Sequence, residues 1–321
     1  MHGGGTADLA EWRGRYARLR DAGFTGVLVG GGDTAMHVEA AHAAGLVLHR
    51  WVWVLNRSGD AWVKAEHPEW FSVNRNGESS LTKPPYVGYY QWLCPTREPV
   101  REYLQAWIDT IAATPGIDAV HLDYIRHPDV ILPRNLWEQY GLVQDHEMPQ
   151  FDYCYCEVCR AGFKKQHGKD PLQLKDPAKS REWRQFRYDA VTQLVSGLAR
   201  TVHARRPRRF QRRSFRRRRS PRALVRRAWD KWPLDVVFPM LYHSFYREEV
   251  DWLGRGAAEG VAALPASTPL IAGVYLPDLR PADLGRAVQV ARDGGAAGIA
   301  MFEMGGLSDA HLAAIREVLQ A

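Results

Sequence analysis

The stretch Ile117-Asp118-Ala119-Val120-His121-Leu122-Asp123-Tyr124-Ile125-Arg126-His127-Pro128 sets a carboxylate, a phenol and a guanidinium directly behind an apolar, β-branched run. Such a run reads as a buried parallel strand, and Pro128 stops it. A strand covered on both faces has no place for Asp123, Tyr124 and Arg126 in its middle, whereas at its C-terminal mouth they can meet a ligand. A structural ion pair between Asp123 and Arg126 is the alternative reading. A second group, Cys154, Cys156 and Cys159, has the spacing C-x-C-x-x-C, which can bring three thiolates to one Zn²⁺. A fourth ligand would come from Cys94, His127 or His146. Reduced thiols packing a loop are the alternative. Gly30-Gly31-Gly32 follows a strand but lacks the glycine spacing and the acidic residue of a dinucleotide site.

The elements that must position these groups alternate regularly. Helical spacing runs over 9–22 and closes at Gly23. Residues 25–30 read as a short strand, and Asp33 can cap a helix over 34–44 that Gly45 ends. A strand rich in Val and Trp follows at 46–55, a helix with Pro99 in its first turn at 98–114, and the strand described above at 117–125. A long helix is expected over 181–203. Strands at 234–242, 270–275 and 298–303 are then interleaved with helices around 248–263, 281–293 and 308–320. Strand–helix alternation without reversal argues for a parallel sheet covered by helices. Six strands are legible where a closed (β/α)8 barrel needs eight. The expectation is a single α/β domain over 1–321, a TIM (β/α)8 barrel whose first strand is truncated and whose fifth is corrupted. A long cysteine-bearing loop spans about 127–180.

The totals permit one large α/β barrel or two ordinary domains. The chain has 321 residues, of which 45% are hydrophobic and 25% charged. It contains no apolar run of about 18 residues, so no membrane span is expected. The N-terminus has neither the basic nor the apolar region of a signal peptide. Cytoplasmic placement is the default expectation, with an export signal upstream of Met1 as the alternative. The formal net charge of +7 has a local origin. About a dozen arginines crowd into 205–227, and without them the balance is slightly acidic. Residues 207–222 read PRRFQRRSFRRRRSPR, which cannot be a buried strand because unpaired guanidinium groups do not enter a core. A nucleic-acid arm and a solvated insert are two readings of it. A short compensated frameshift, in the gene or its assembly, fits better, because Arg, Ser and Pro dominate alternative frames of GC-rich genes and helical sequence resumes at Ala223.

Several motifs in order carry a family resemblance. They are HPEWF at 67–71, WLCPTREPVREYL at 92–104, HLDYIRHP at 121–128, FDYCYCEVCRAGF at 151–163, WRQFRYDAV at 183–191, WPLDVVFPMLYHSFY at 232–246 and FEMGG at 302–306. The chain resembles the family-10-like glycosyl hydrolases, the DUF187 or hypothetical glycosyl hydrolase group, which are TIM-barrel proteins. The match fails at 207–222, where the family has an apolar strand, and is short at the start.

That resemblance implies hydrolysis of O-glycosidic bonds in an oligo- or polysaccharide, with no cofactor required for catalysis. The reaction needs two carboxyl groups across the scissile bond. Asp123 and Glu303, both at strand ends, form the best pair. A helix cap is the alternative for Asp33, and a structural pairing with Arg57 or Arg126 is the alternative for Glu303. Asp33, Arg57, Trp92, Tyr124, Arg126, Tyr242, His243 and Tyr275 are expected to hold the sugar. The 12 Trp and 13 Tyr support a sugar site, since C–H groups of sugar faces stack on aromatic rings; packing of loops onto the barrel is the alternative for most of them. A non-catalytic carbohydrate-binding barrel is the first rival, and nucleic-acid binding through 205–227 is the second and weaker one. A structural Zn²⁺ at the cysteine triplet is a separate expectation. The frameshift reading has a direct check, which is the nucleotide sequence of the locus in all three frames. An apolar strand is expected in another frame across 207–222, and its absence from every frame would contradict the reading.

Overall fold

A computed structural model describes residues 1–206 and 231–320. They fall into two compact units. The first comprises Met1–Val52, Ile111–His121 and Arg205–Ala321, and the second Trp53–Thr110 and Leu122–Ala204.

In chain order the elements are α1 (Leu9–Asp21), β1 (Gly26–Val29), α2 (Thr34–Ala43), β2 (Val47–Trp53), α3 (Ala61–Glu66), α4 (Glu98–Ala112), β3 (Ala119–Asp123), α5 (Glu157–His167) and α6 (Arg181–Arg205). After the segment outside the description come α7 (Trp252–Ala263), β4 (Ile271–Tyr275), α8 (Leu284–Asp293), β5 (Gly298–Phe302) and α9 (Asp309–Gln320). One sheet has the order β1-β2-β3, and a second pairs β4 with β5. β1 pairs with β2 in parallel from Gly26↔Val47 to Val29↔Arg50, and β4 pairs with β5 in parallel from Ile271↔Gly298 to Tyr275↔Phe302. The alternation of strand and helix read from the sequence is therefore present, within a mixed α/β fold.

Local chemistry explains the boundaries. Asp8 caps α1 by accepting from the Glu11 amide, and Asp33 caps α2 by accepting from the amides of Ala35 and Met36. Gly168 ends α5 in the left-handed conformation that glycine adopts without a Cβ penalty. In the first unit, Trp12, Tyr16, Leu48 and Ile117 pack a core beneath β1, and Leu253, Ala272, Val274 and Leu284 pack another beside β4. In the second unit, Cys94, Phe163 and Trp183 are fully buried in one cluster.

Of the closed barrel expected from the sequence, the described residues show parallel strands alternating with helices. Among the described residues the two sheets hold five strands, not eight. The expected strand over 234–242 is reduced to two parallel bridges, Val237↔Leu270 and Met240↔Gly273. Pro239 sits between them, and proline has no N–H for a ladder. The segment still lies against β4, because Gly273 has no side chain there; a Cβ on Gly273 would sit 2.7 Å from the Pro239 carbonyl oxygen. The truncated first strand survives as one bridge, His2↔Val29. The expected fifth strand at 207–222 lies outside the described residues. Among the described residues no helix is long and apolar enough to cross a membrane.

A buried polar chain links the N-terminal segment to α1 and α2 in the first unit. The Tyr16 hydroxyl is hydrogen-bonded to His2 Nε2 at 2.8 Å and to His37 Nδ1 at 2.9 Å. Burial, and then the neighbouring ammonium of Met1 and His37, lower the His2 pKa to about 4. Burial, and then Arg50, lower that of His37. Both groups have depressed folded-state values, so their contribution to stability is complete above the unfolded value of about 6.5 and is lost as the pH falls below it, for His2 toward about 4. The denaturation midpoint should therefore fall between pH 7 and pH 5, and the fall should shrink in His37→Phe. An unchanged slope in that variant would remove the histidines from this account.

Candidate functional site

The second unit holds the end of β3. Asp123 is the last strand residue, and its Oδ1 accepts from the Tyr124 amide at 2.6 Å. Tyr124 has φ of +49°, a conformation that costs a non-glycine residue of order 1–3 kcal/mol and persists only where its surroundings enforce it. Those surroundings are aromatic. Its ring lies 4.6 Å from Trp53 and 5.3 Å from Trp92, centre to centre, with Tyr90 edge-on at 6.2 Å. Burial, then Tyr90, Tyr89 and Asp123, push the Tyr124 phenol well above its ordinary range. It is a neutral hydrogen-bonding group at physiological pH.

Arg126 lies over the Trp92 ring with 5.0 Å from guanidinium carbon to ring centre, and pairs with Asp129 at 2.8 Å. Burial opposes its charge, yet Asp129, then Tyr90, Tyr124 and Asp123, hold it above the ordinary arginine range. The alternative reading of an Asp123–Arg126 ion pair is thus replaced by an Arg126–Asp129 pair, with Asp123 within electrostatic reach.

Three sequence expectations shift in role. Trp92 is 0% exposed and is covered by Arg126 and Tyr124, so it supports those residues and has no open face to offer a sugar. Arg57 is turned to Asp60 at 2.6 Å and lies over the Trp107 ring at 4.1 Å, holding α3 and α4 together. Asp33 spends one carboxylate oxygen on the cap of α2. The open aromatic wall is instead made by Trp53, 36% exposed, and Tyr89, 44% exposed, whose rings are 5.9 Å apart. The sequence carried a signal for Trp53. Trp51 and Trp53 alternate on one face of β2, and the later one stands at the strand mouth. Asn56 Nδ2 and Trp92 Nε1, beside one another through the Asn56↔Trp92 bridge, are buried donors with no partner among the described residues.

The first unit presents a second aromatic array. Tyr242 and Tyr275 each stack on Phe302, with centres 6.3 Å and 6.2 Å away, and are tilted against one another at 5.4 Å. Trp51 meets Phe302 edge-on at 6.0 Å. Tyr275 ends β4, and the buried His243 follows Tyr242 with no partner for its Nδ1 among the described residues. Glu303 follows β5 and is exposed. Gly306 donates to its carbonyl at 3.1 Å, and a Cβ on Gly305 would come within 3.4 Å of its carboxylate, so the glycine leaves that side open.

The cysteines gather in the second unit. Cys94, Cys154, Cys156 and Cys159 are all buried, and their sulfurs lie within 4.8 Å of one another. The structure thus brings Cys94 to the triplet. His127 and His146 stand outside the group. Burial, then the Arg187 guanidinium, lower the His127 imidazole to about 3, and the exposed His146 pairs with Asp145 at 2.5 Å.

No family model matches the chain, and no curated protein matches it. Solved structures do. The chain is similar to the β-galactosidase from Bacillus circulans sp. alkalophilus, with a TM-score of 0.62 and 12% identity, over 99% of this chain and 55% of that one. It is also similar to α-L-fucosidase isoenzyme 2 from Paenibacillus thiaminolyticus, with a TM-score of 0.57 and 13% identity, over 96% of this chain and 45% of that one. The fold is glycoside-hydrolase-like. The chain spans about half the length of either enzyme, and likeness at this identity concerns the fold alone.

Proposed function

We propose that the chain is a glycoside hydrolase acting on an oligo- or polysaccharide, with Asp123 as one catalytic carboxyl group and Glu303 as the other. The observation that carries this reading is the chemistry at the C-terminal ends of the parallel strands. β2 leads to Trp53 and Asn56, β3 to Asp123 and Tyr124, β4 to Tyr275 and β5 to Glu303. Active sites of barrel glycosidases are built at that end, and a closed eightfold barrel of the family-10-like type is the finer form of this proposal.

In this reading, Trp53 and Tyr89 stack on a sugar face. Tyr124 offers a neutral hydroxyl for a sugar hydroxyl. Arg126, already paired with Asp129, sets the position of Tyr124 and the field at Asp123. One carboxyl group protonates the leaving oxygen, and the other attacks the anomeric carbon or activates water. A separation of about 5–5.5 Å gives retention and about 6.5–9.5 Å inversion. The exposure of Glu303 favours one rival, a barrel that binds carbohydrate without cleaving it.

The test is a panel of aryl glycosides and oligosaccharides with wild type, Asp123→Asn and Glu303→Gln. Each substitution keeps size and removes ionisation. Each should lower kcat about 100-fold or more while circular dichroism stays unchanged. Near-normal turnover in either variant would remove that residue from the mechanism. Sugar binding without turnover in wild type would favour the binding protein.

A further inference from the structure

The four cysteines of the chain come from two segments far apart in sequence, and every one of them is in the cluster. Cys94 closes the segment Trp92-Leu93-Cys94, which is pinned by the Leu93 amide donating to the Leu55 carbonyl and the Cys94 amide donating to that of Trp70. Cys154 lies in an extended stretch tied to Val73 through the Tyr155 amide at 2.7 Å. Cys156 is the N-cap of α5, and Cys159 is in that helix's first turn. Exposure of the four is 0–2%.

The spacing of the sulfurs distinguishes three chemistries. A disulfide needs about 2.05 Å between sulfurs. Thiols merely filling a core have no reason to converge four at a time, since each is a weak donor best placed against apolar neighbours. A tetrahedral Zn²⁺ with bonds of about 2.3 Å sets its sulfurs roughly 3.8 Å apart. The structure has Cys94 and Cys159 sulfurs at 3.4 Å and those of Cys156 and Cys94 at 3.7 Å.

The surroundings fit a negatively charged thiolate centre. The Val73 amide donates to Cys154 Sγ at 3.4 Å, and Thr96 Oγ1 lies 3.2 Å from Cys159 Sγ. The N-terminus of α5, with its partial positive charge, meets Cys156 and Cys159. Arg97 lies within the electrostatic reach of Cys156 and Cys94, and its buried Nε has no partner among the described residues. Groups of this kind, set around the ligands, tune and orient a metal site.

We infer that Cys94, Cys154, Cys156 and Cys159 form a structural Zn²⁺ centre that fastens the segment 92–94 to the 153–159 excursion. Four protein thiolates leave no open coordination position, so the ion holds structure and does not bind substrate. Its consequence for the site follows from sequence distance. Trp92, two residues before Cys94, is the platform under Tyr124 and Arg126.

The experiment uses the full chain expressed with zinc in the medium. Elemental analysis should find about one zinc per chain. Thiol reagent should find the cysteines blocked in the native protein and reactive after denaturation with chelator. Replacement of zinc by cobalt should give the visible and near-ultraviolet bands of tetrahedral cobalt–thiolate. Chelation should expose 150–165 to protease before the rest of the chain unfolds. Cys156→Ser should lose the metal; if it fails to fold, the metal and thiol counts of wild type still decide. Metal-free protein with freely reactive thiols, a disulfide between any two of the cysteines, or stoichiometric iron in place of zinc would overturn the inference. None of these readouts depends on sugar hydrolysis, so the centre and the catalytic reading can fail separately.

Discussion

A half-buried guanidinium sets the terms for the end of β3. Arg126 lies on Trp92, pairs with Asp129 and donates to the His127 carbonyl at 3.0 Å. A charge with so little access to water must keep its partners, because losing one leaves it uncompensated. The requirement fixes the chain from Tyr124 to Asp129. It also explains why Tyr124 can be held at positive φ, between Trp53, Trp92 and Tyr90. Asp123, the residue before it, inherits its position from that packing.

Support for this arrangement reaches outward through Trp92. Its backbone is locked by the Ser72 amide, which donates to its carbonyl at 2.7 Å, and by Ser80, whose hydroxyl accepts from its amide at 3.1 Å. Cys94 then joins the same segment to the sulfur cluster. A second brace is the pair of Arg187 with Asp152, which fixes the excursion just before Cys154. Asp152 also accepts from the Tyr155 hydroxyl at 2.6 Å, and that hydroxyl accepts from the Trp183 indole at 3.0 Å. In the second unit these buried polar groups polarise and hold one another as a network.

Much of this was legible in the sequence, for identifiable reasons. The strand at 117–125 announced itself because an apolar run ended in three polar residues, and the structure has β3 end at Asp123. The helix cap at Asp33 follows from a local rule. The cysteine triplet was legible from spacing, but its fourth member was not, because nothing local in Cys94 distinguishes it from His127 or His146. Only the packing of 92–94 against 153–159 selects it. Some side chains expected at the sugar turn to nearer partners. Arg57 found Asp60 three residues on, and Trp92 was covered by Arg126. The strand expected at 234–242 shrank to bridges because Pro239 interrupts its ladder, which the hydrophobic pattern alone did not weigh.

The central claim is that the strand-end carboxyl groups flank a glycosidic bond. It is tested most directly by a crystal structure of the Asp123→Asn chain with an oligosaccharide bound. The account predicts a sugar stacked on Trp53 and Tyr89, with residue 123 and Glu303 on opposite sides of one glycosidic oxygen and their side-chain termini about 5–9.5 Å apart. A sugar bound elsewhere, or a separation well beyond that range, would contradict it.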